Sequence, residues 1–451
     1  MSLANFYLIT DTHFFKNDLG AYGKEYDEFM RFEQKCFAET EAINNAVFDL
    51  LKKTQKTDNV LIAGDLSFNG EKESHKGFIK LLNELKAIGK NVYVVTADHD
   101  FNEHCYGYTT ENGKFEVEPT SRDELYDLYY EFGFKNAIAV DKQHLSYVAQ
   151  IADGVRLLAL NNDGSPTEHR TFDEEQLAWI KEQARKAKED GQMMFAMNHY
   201  PLLPGQPIFS LISSAVQKNS TNITNMLADE GVHLVFTGHM HNQSINVKAS
   251  PNGNKFYDVC TGAIIAAPAS MRFVTIEDKN TVKIETEAAP DFQWDTDGKG
   301  CDKYLSDLFD GMILNLLEDM KDNPDRVMGK FGVKNDKLKP AFRFVGKRLD
   351  KLTVGTTCRI LWIKCHKSIR KMLLKDFITK LVRDVFSGNQ TFKDGTPHGD
   401  VFLRFIKRFN PIFKRLKLKD IDGNSVDLFE ILKNTAGNYD IDDYNTTLIL
   451  K

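Results

Sequence analysis

Along the first half of the chain, short apolar runs of strand length alternate with longer stretches in which apolar residues return every third or fourth position. The runs Phe6 to Ile9, Val60 to Ile62, Val92 to Val95, Leu157 to Leu160, Met193 to Met197 and Leu234 to Phe236 are often bounded by turn residues and predict buried strands. The clearest helical stretch spans Glu174 to Asp190. Leu177, Ile180, Ala184 and Ala187 share a face, Thr171 and Glu174 have capping-box spacing, and Gly191 supplies a stop. Strand and helix in alternation predict an α/β layered core. Beyond His241 the period shortens to two, as in Val282, Ile284 and Thr286, with another strand-like run at Arg272 to Ile276. These predict a second sheet facing the first. After Ala289 the pattern turns helical, beginning with Leu305, Leu308, Met312 and Leu316 on one face, and Pro290 with Gly298 and Gly300 marks a linker. The expected division is one domain over 1–290 and a mainly α-helical, partly basic domain over 300–451.

A chain of 451 residues is too long for one ordinary core, which agrees with that division. With 42% hydrophobic and 27% charged residues it reads as a soluble globular protein. No stretch approaches the ~18 uninterrupted apolar residues of a transmembrane helix. The six cysteines lie far apart without metal-site spacing, as expected for reduced thiols of a cytoplasmic protein. No leader pattern precedes Asn5, although Met1-Ser2-Leu3 can equally be a cloning scar, which leaves a removed leader open. Net charge is only −6, yet residues 341–420 hold 20 Lys and Arg against 6 Asp and Glu. Within them Phe402 to Phe409 mixes Arg404, Lys407 and Arg408 with apolar residues, a basic amphipathic helix. Such a helix most often has a solvated basic face; it can also meet a membrane, a nucleic acid or anionic substrates. No specific nucleic-acid motif accompanies it.

The polar residues that follow the strands carry the chemistry. Phe6 to Ile9 runs into Asp11 and His13, Val60 to Ala63 into Gly64, Asp65, Asn69 and Gly70, and Val92 to Val95 into Asp98, His99 and Asp100. Met193 to Met197 is followed by His199, and Leu234 to Thr237 by Gly238, His239 and His241. Open α/β sheets place ligand sites just beyond strand carboxyl ends. One such histidine means little, but five strands delivering carboxylates and imidazoles to the same relative position point to a metal site. Nitrogen and oxygen donors without thiolates suit Mn, Fe or Zn better than Mg.

Taken in order, Asp-x-His, Gly-Asp-(four residues)-Gly, Asp98-His99-Asp100, a lone His and Gly-His-x-His resemble the calcineurin-like metallophosphoesterase family over residues 5–245. The stretch from Gly64 to His75 resembles bacterial class III cyclic-nucleotide phosphodiesterases within it. The resemblance implies a four-layer αββα sandwich with two divalent metal ions, Mn or Fe foremost. Asp11, His13 and His241 are implied to hold one, Asp98, His199 and His239 the other, with Asp65 bridging. Where the family usually reads Gly-Asn-His-Asp, this chain has Ala97-Asp98-His99-Asp100, adding a carboxylate to the site.

Two such metals generate hydroxide at neutral pH and stabilise an in-line displacement at phosphorus. His99 is the expected general acid, with Asp100 either orienting it or capping a helix. Asn69 either donates to a phosphate oxygen or shapes a turn. His75 and His104 lie close enough to the motifs to reach substrate but are more often solvated loop or helix histidines, and Asn161 to Asp163 line the pocket or form a turn. The expected function is a dinuclear phosphoesterase acting on an anionic phosphate ester, most readily a phosphodiester such as a cyclic nucleotide. A phosphomonoesterase of the same fold is the alternative, as is a non-catalytic scaffold that binds an anionic partner through its basic domain.

Overall fold

A computed structural model describes residues 2–163, 171–212, 214–330, 339–388, 391–437 and 441–451. In chain order its strands are β1 (Ala4–Ile9), β2 (Asn59–Ala63), β3 (Asn91–Val95), β4 (Cys105–Thr109), β5 (Gly113–Val117), β6 (Ala139–Asp141), β7 (Ser146–Ala152) and β8 (Val155–Ala159). There follow β9 (Met193–Met197), β10 (Leu234–Thr237), β11 (Ser244–Ala249), β12 (Lys255–Cys260), β13 (Ser270–Ile276), β14 (Thr281–Ala288) and β15 (Thr446–Ile449). One sheet has the order β15-β14-β13-β1-β2-β3 and the other β11-β12-β10-β9-β8-β7-β6, while β4 and β5 form a separate hairpin. The strands that precede the polar motifs run parallel to one another within each sheet: β1 with β2, β2 with β3, and β9 with β10.

The sheets meet through their apolar inner faces. Phe6 of β1 stacks on Phe195 of β9 at 5.2 Å between ring centroids and lies edge-on to Phe236 of β10 at 5.4 Å. Such pairs add roughly 0.5–1.5 kcal/mol each beyond their buried area. The helices Thr40–Lys53 and Lys72–Ala87 bury Val47, Phe48, Phe78 and Leu82 in the core of the first sheet. Glu174–Glu189 and Ser220–Asp229 bury Ile180, Ala184, Ile223 and Leu227 against the outer face of the second. The layers are therefore αββα. Every residue of β9 is buried, which explains its uninterrupted apolar run.

Several local expectations change. The period-two segments extend the first sheet, β13 antiparallel to β1 and β14 antiparallel to β13, instead of founding the second, which begins at β6. Alternation shows that one face is buried but does not name the neighbour. The cap of Glu174–Glu189 is Asp173, whose carboxylate accepts from Gln176 N at 2.8 Å, in place of the Thr171 box. In the helix Cys301–Asp322 the buried face carries Leu305, Phe309, Met312 and Leu316; Leu308, at the edge of that arc, is 38% exposed.

The mainly helical part after Cys301 includes Leu374–Ser387, Pro397–Phe413 and Leu428–Gly437. In Pro397–Phe413, Val401 and Ile406 are buried while Lys407 and Arg408 are exposed, so the helix has an apolar inner side and a cationic outer one. The chain then returns to the first sheet as β15, paired with β14. All six cysteines are free thiols, five of them buried. No described helix is long and apolar enough to cross a membrane.

Candidate metal centre

The loops after β1, β2 and β3 come from one sheet and those after β9 and β10 from the other, and they converge. Backbone bonds tie them together: Asp11 N donates to Gly64 O at 3.1 Å, His13 N to Asp65 O at 2.9 Å, and Gly238 N to His199 O at 2.9 Å. The turns are sharp. Asp11, His13, Asp65, His239 and His241 all have φ between 36° and 71°, half of the ten described non-glycine residues with positive φ. Each such residue costs about 1–3 kcal/mol, and clustering of that strain is typical of functional sites. Two glycines are obligatory for the close approach. A methyl group at Gly64 would meet His199 Nδ1 at 2.5 Å, and one at Gly238 would meet Asp11 Oδ2 at 2.4 Å.

Two groups result whose ligand atoms lie within 4.8 Å of one another and which can each hold a metal ion: Asp11, His13 and His241, all buried, and Asp65, Asp98, His199 and His239, half of them buried. Asp65 borders both, with Oδ2 at 3.5 Å from His13 Nε2 and 3.0 Å from His199 Nε2. His13 Nε2 and His241 Nε2 face each other at 3.2 Å, and His241 Nε2 lies 3.3 Å from Asp11 Oδ1. His199 donates from Nδ1 to Ala63 O at 2.8 Å, which turns its buried Nε2 toward the Asp65 carboxylate. His239 donates from Nε2 to Ser214 O at 2.7 Å, which leaves Nδ1 for a metal.

The electrostatics of this donor set fit a pair of cations. Burial raises Asp65, but the imidazoles of His199, His99 and His13 hold its carboxyl well below the usual range. Burial likewise raises Asp11, and His241 and His199 bring it below its ordinary value. Asp98 is pushed up by burial and Asp65, yet His99, His239 and the Tyr200 hydroxyl hold it lowered. Burial opposes a charge on His199, but Asp65, Asp11 and Asp98 carry it up to about 10. Three ionised carboxylates thus draw positive charge into a buried space, a demand that divalent ions meet.

His99 stands beside both groups. Its ring lies 4.9 Å from that of His13, and its backbone N donates to Asp65 Oδ1 at 3.3 Å. Asn69 Oδ1, expected either at substrate or in a turn, faces His99 Nδ1 at 3.2 Å. Asp100 does not orient the ring through its carboxylate. Oδ1 accepts from Leu66 N and Ser67 N, each at 2.8 Å, and Oδ2 from Ala97 N at 2.9 Å, so this side chain staples the loop after β2 to the loop after β3. Buried His75 is held by Tyr129 Oη at 2.6 Å and Asp100 O at 2.8 Å rather than solvated. His104 is exposed beside Glu116.

Lys35 escaped the sequence analysis. Buried, it places Nζ 3.2 Å from His13 Nδ1, 3.5 Å from His99 Nδ1 and 4.3 Å from the centre of the Phe68 ring. With burial as the main cause and Lys35 next, both His13 and His99 are held below the ordinary imidazole range. A single lysine in an irregular segment carries no periodic signal that could have found it. A cavity of about 810 Å³ opens at Asp98 and Tyr200 and extends to Arg122, Asp163 and Lys218. Asp163 accepts there from Arg122 Nε at 3.2 Å. A second cavity of about 820 Å³ lies beside Tyr7, Asp49 and Glu287, none of them in the ligand groups.

The family model for calcineurin-like phosphoesterases matches residues 4–243. The chain is similar to a dimetal phosphatase from Danio rerio at 14% identity and a TM-score of 0.47, over 64% of this chain and 97% of that one. It is similar to a purple acid phosphatase from yellow lupin seeds at 14% identity and a TM-score of 0.40, over 66% and 52% of the two chains. A third likeness is to the NAD nucleotidase of Haemophilus influenzae, at 14% identity and a TM-score of 0.34, over 78% and 61%. No curated protein matches. The family match covers more than half of the chain and the same five loops that build the two ligand groups, so the chain belongs to the calcineurin-like phosphoesterase family, as a metal-dependent phosphoric ester hydrolase.

Proposed function

We propose that the chain hydrolyses a phosphodiester, with a cyclic nucleotide as the leading candidate. In this proposal Asp11, His13 and His241 hold one divalent ion and Asp98, His199 and His239 a second, with Asp65 shared. Mn or Fe suits these donors, and Zn also fits them. The carrying observation is that one Asp65 oxygen lies within 3.5 Å of an imidazole nitrogen from each group. A pair of ions held by these residues would supply an activated water and charge stabilisation for the attacking and leaving oxygens. The chain's own contribution is the proton. With Asn69 Oδ1 accepting from His99 Nδ1, the imidazolium form of His99 would protonate the departing oxygen from Nε2, the negative charge of the bound ester offsetting the burial and the Lys35 charge that disfavour that form.

The 810 Å³ cavity supports a diester, because it begins at Asp98 and gives the ester's second substituent room between Arg122 and Lys218. The test is a substrate panel on purified protein loaded with Mn: cyclic nucleotides, linear phosphodiesters and matched phosphomonoesters. The expected result is a higher kcat/KM for the diesters. Preference for monoesters would replace the substrate reading and keep the metals; no turnover at all with both ions bound would favour the scaffold.

A further inference from the structure

The loop that carries His239 and His241 is held from behind by the part of the chain after residue 300. Met240, between the two histidines, packs in a cluster with Phe209, Val385, Phe386 and Ile421. Two residues past His241, Gln243 N donates to Phe386 O at 2.7 Å. The Gln243 side chain is wholly buried; Nε2 donates to Thr286 Oγ1 at 3.1 Å and Asp443 O at 3.3 Å, and Oε1 accepts from Gly262 N at 3.0 Å. Asp443 is buried too, and its Oδ1 accepts from Ile245 N at 2.7 Å. Beneath them Arg272, with no exposed surface, donates to Asp443 O at 2.6 Å, Thr286 Oγ1 at 2.7 Å and Cys260 O at 3.1 Å. The fit is close, since a methyl group at Gly388 would lie 2.9 Å from Gln243 O and 3.0 Å from Asp443 Cβ.

We propose that Gln243 and Asp443 are positioning residues for the metal centre, and that the C-terminal region is thereby a working part of that centre. His239 and His241 both sit in the left-handed region, where histidine does not rest by preference, so something must hold the loop in that shape. The clasp does so from three sides: Phe386 of Leu374–Ser387, Asp443 ahead of β15, and Thr286 of β14. A basic module merely appended to the fold would have no reason to bury an aspartate against an arginine and a glutamine of the phosphoesterase core, directly behind a ligand loop. Burying these groups is tolerable only because each is hydrogen-bonded, and those bonds tie the loop to one geometry.

This inference rests on the reading of His239 and His241 as ligands, and the test separates the two. Metal-stripped full-length protein is titrated with Mn and its binding followed by calorimetry, while thermal unfolding of the metal-free form is recorded. Asp443→Ala removes the acceptor of Ile245 N–H and should weaken binding by about 10–100-fold, the usual cost of losing a group that supports a ligand. Asp443→Asn keeps an oxygen at that place and should bind as wild type does. Phe386→Ala, which loosens the cluster around Phe209 that Met240 also packs against without touching a polar group, should move affinity in the same direction if Asp443→Ala does not fold. Leu448→Ala is the control: it strips a buried side chain of β15 away from the loop. Unchanged affinity in Asp443→Ala or Phe386→Ala, or an equal loss in Leu448→Ala, would overturn the proposal. Wild-type protein that binds no Mn would instead defeat the ligand assignment itself.

Discussion

The two ligand groups differ in exposure more than in chemistry. Asp11, His13 and His241 are all buried, whereas in the other group Asp98 and His239 are half-buried and Asp98 lines the cavity that reaches Arg122 and Lys218. In the dinuclear reading proposed above, the ion of the first group would be enclosed, whereas that of the second would face the cavity that Asp98 lines. The difference separates a holding site from a meeting site. It also says where a change should be local and where it should be total.

The largest effect should come from Asp65, which belongs to one group, borders the other and is proposed to be shared by the two ions. Asp65→Ala removes the carboxylate next to His13 and His199 together, so turnover should be abolished and the metal content should fall at both sites. Elemental analysis and anomalous scattering on metal-replete crystals measure this directly. Wild-type occupancy of either site in the variant would show that Asp65 is not shared, and at most one site in the wild-type protein would end the dinuclear mechanism.

The next effect in size concerns His99, which neighbours both groups and belongs to neither. Its loss should cost on the order of 10²–10⁴ in rate where the leaving oxygen needs a proton. His99→Asn should therefore slow an alkyl phosphodiester or cyclic nucleotide far more than a p-nitrophenyl ester, with both metals retained. Equal losses on the two substrates at unchanged metal content would remove His99 from the general-acid role.

What was legible in the sequence, and what was not, follows the range of the interactions. The strands β1, β2, β9 and β10 were legible because burial on both faces writes a nearly continuous apolar run, and the edge strand β3 because its apolar residues still run together from Val92 to Val95; the ligand loops were legible because each begins where such a run ends. The choice of sheet for β13 and β14 was not, since alternation is the same whichever neighbour covers the apolar face. Asp100 reads either as a partner of His99 or as a helix cap; its carboxylate bonds the donors around it, the N–H groups of Leu66 and Ser67 and that of Ala97 at the start of the short turn Asp98–Asp100. Lys35 and Asp443 were invisible for a different reason: each acts on a residue far away in sequence, His13 and Ile245 respectively, and neither contact leaves a local pattern.

The smallest and sharpest test is at Asp98, where this chain has a carboxylate and the family usually an amide. Asp98 belongs to the open group alone, so Asp98→Ala should empty that site while the buried one stays filled. The loss should be at least the 10–100-fold in affinity that follows removal of a supporting group. Asp98→Asn should keep both ions, because an amide oxygen ligates from the same position. Its effect should appear instead in KM. Aspartate leaves a negative charge at the mouth of the cavity, where an anionic ester must approach, and removing it should lower KM for a charged diester, more at low ionic strength than at high. A Michaelis constant that does not move with salt in either protein would mean the Asp98 charge is fully offset by the ion it holds. Equal metal content in Asp98→Ala and wild type would show that the open group closes around its ion without this residue.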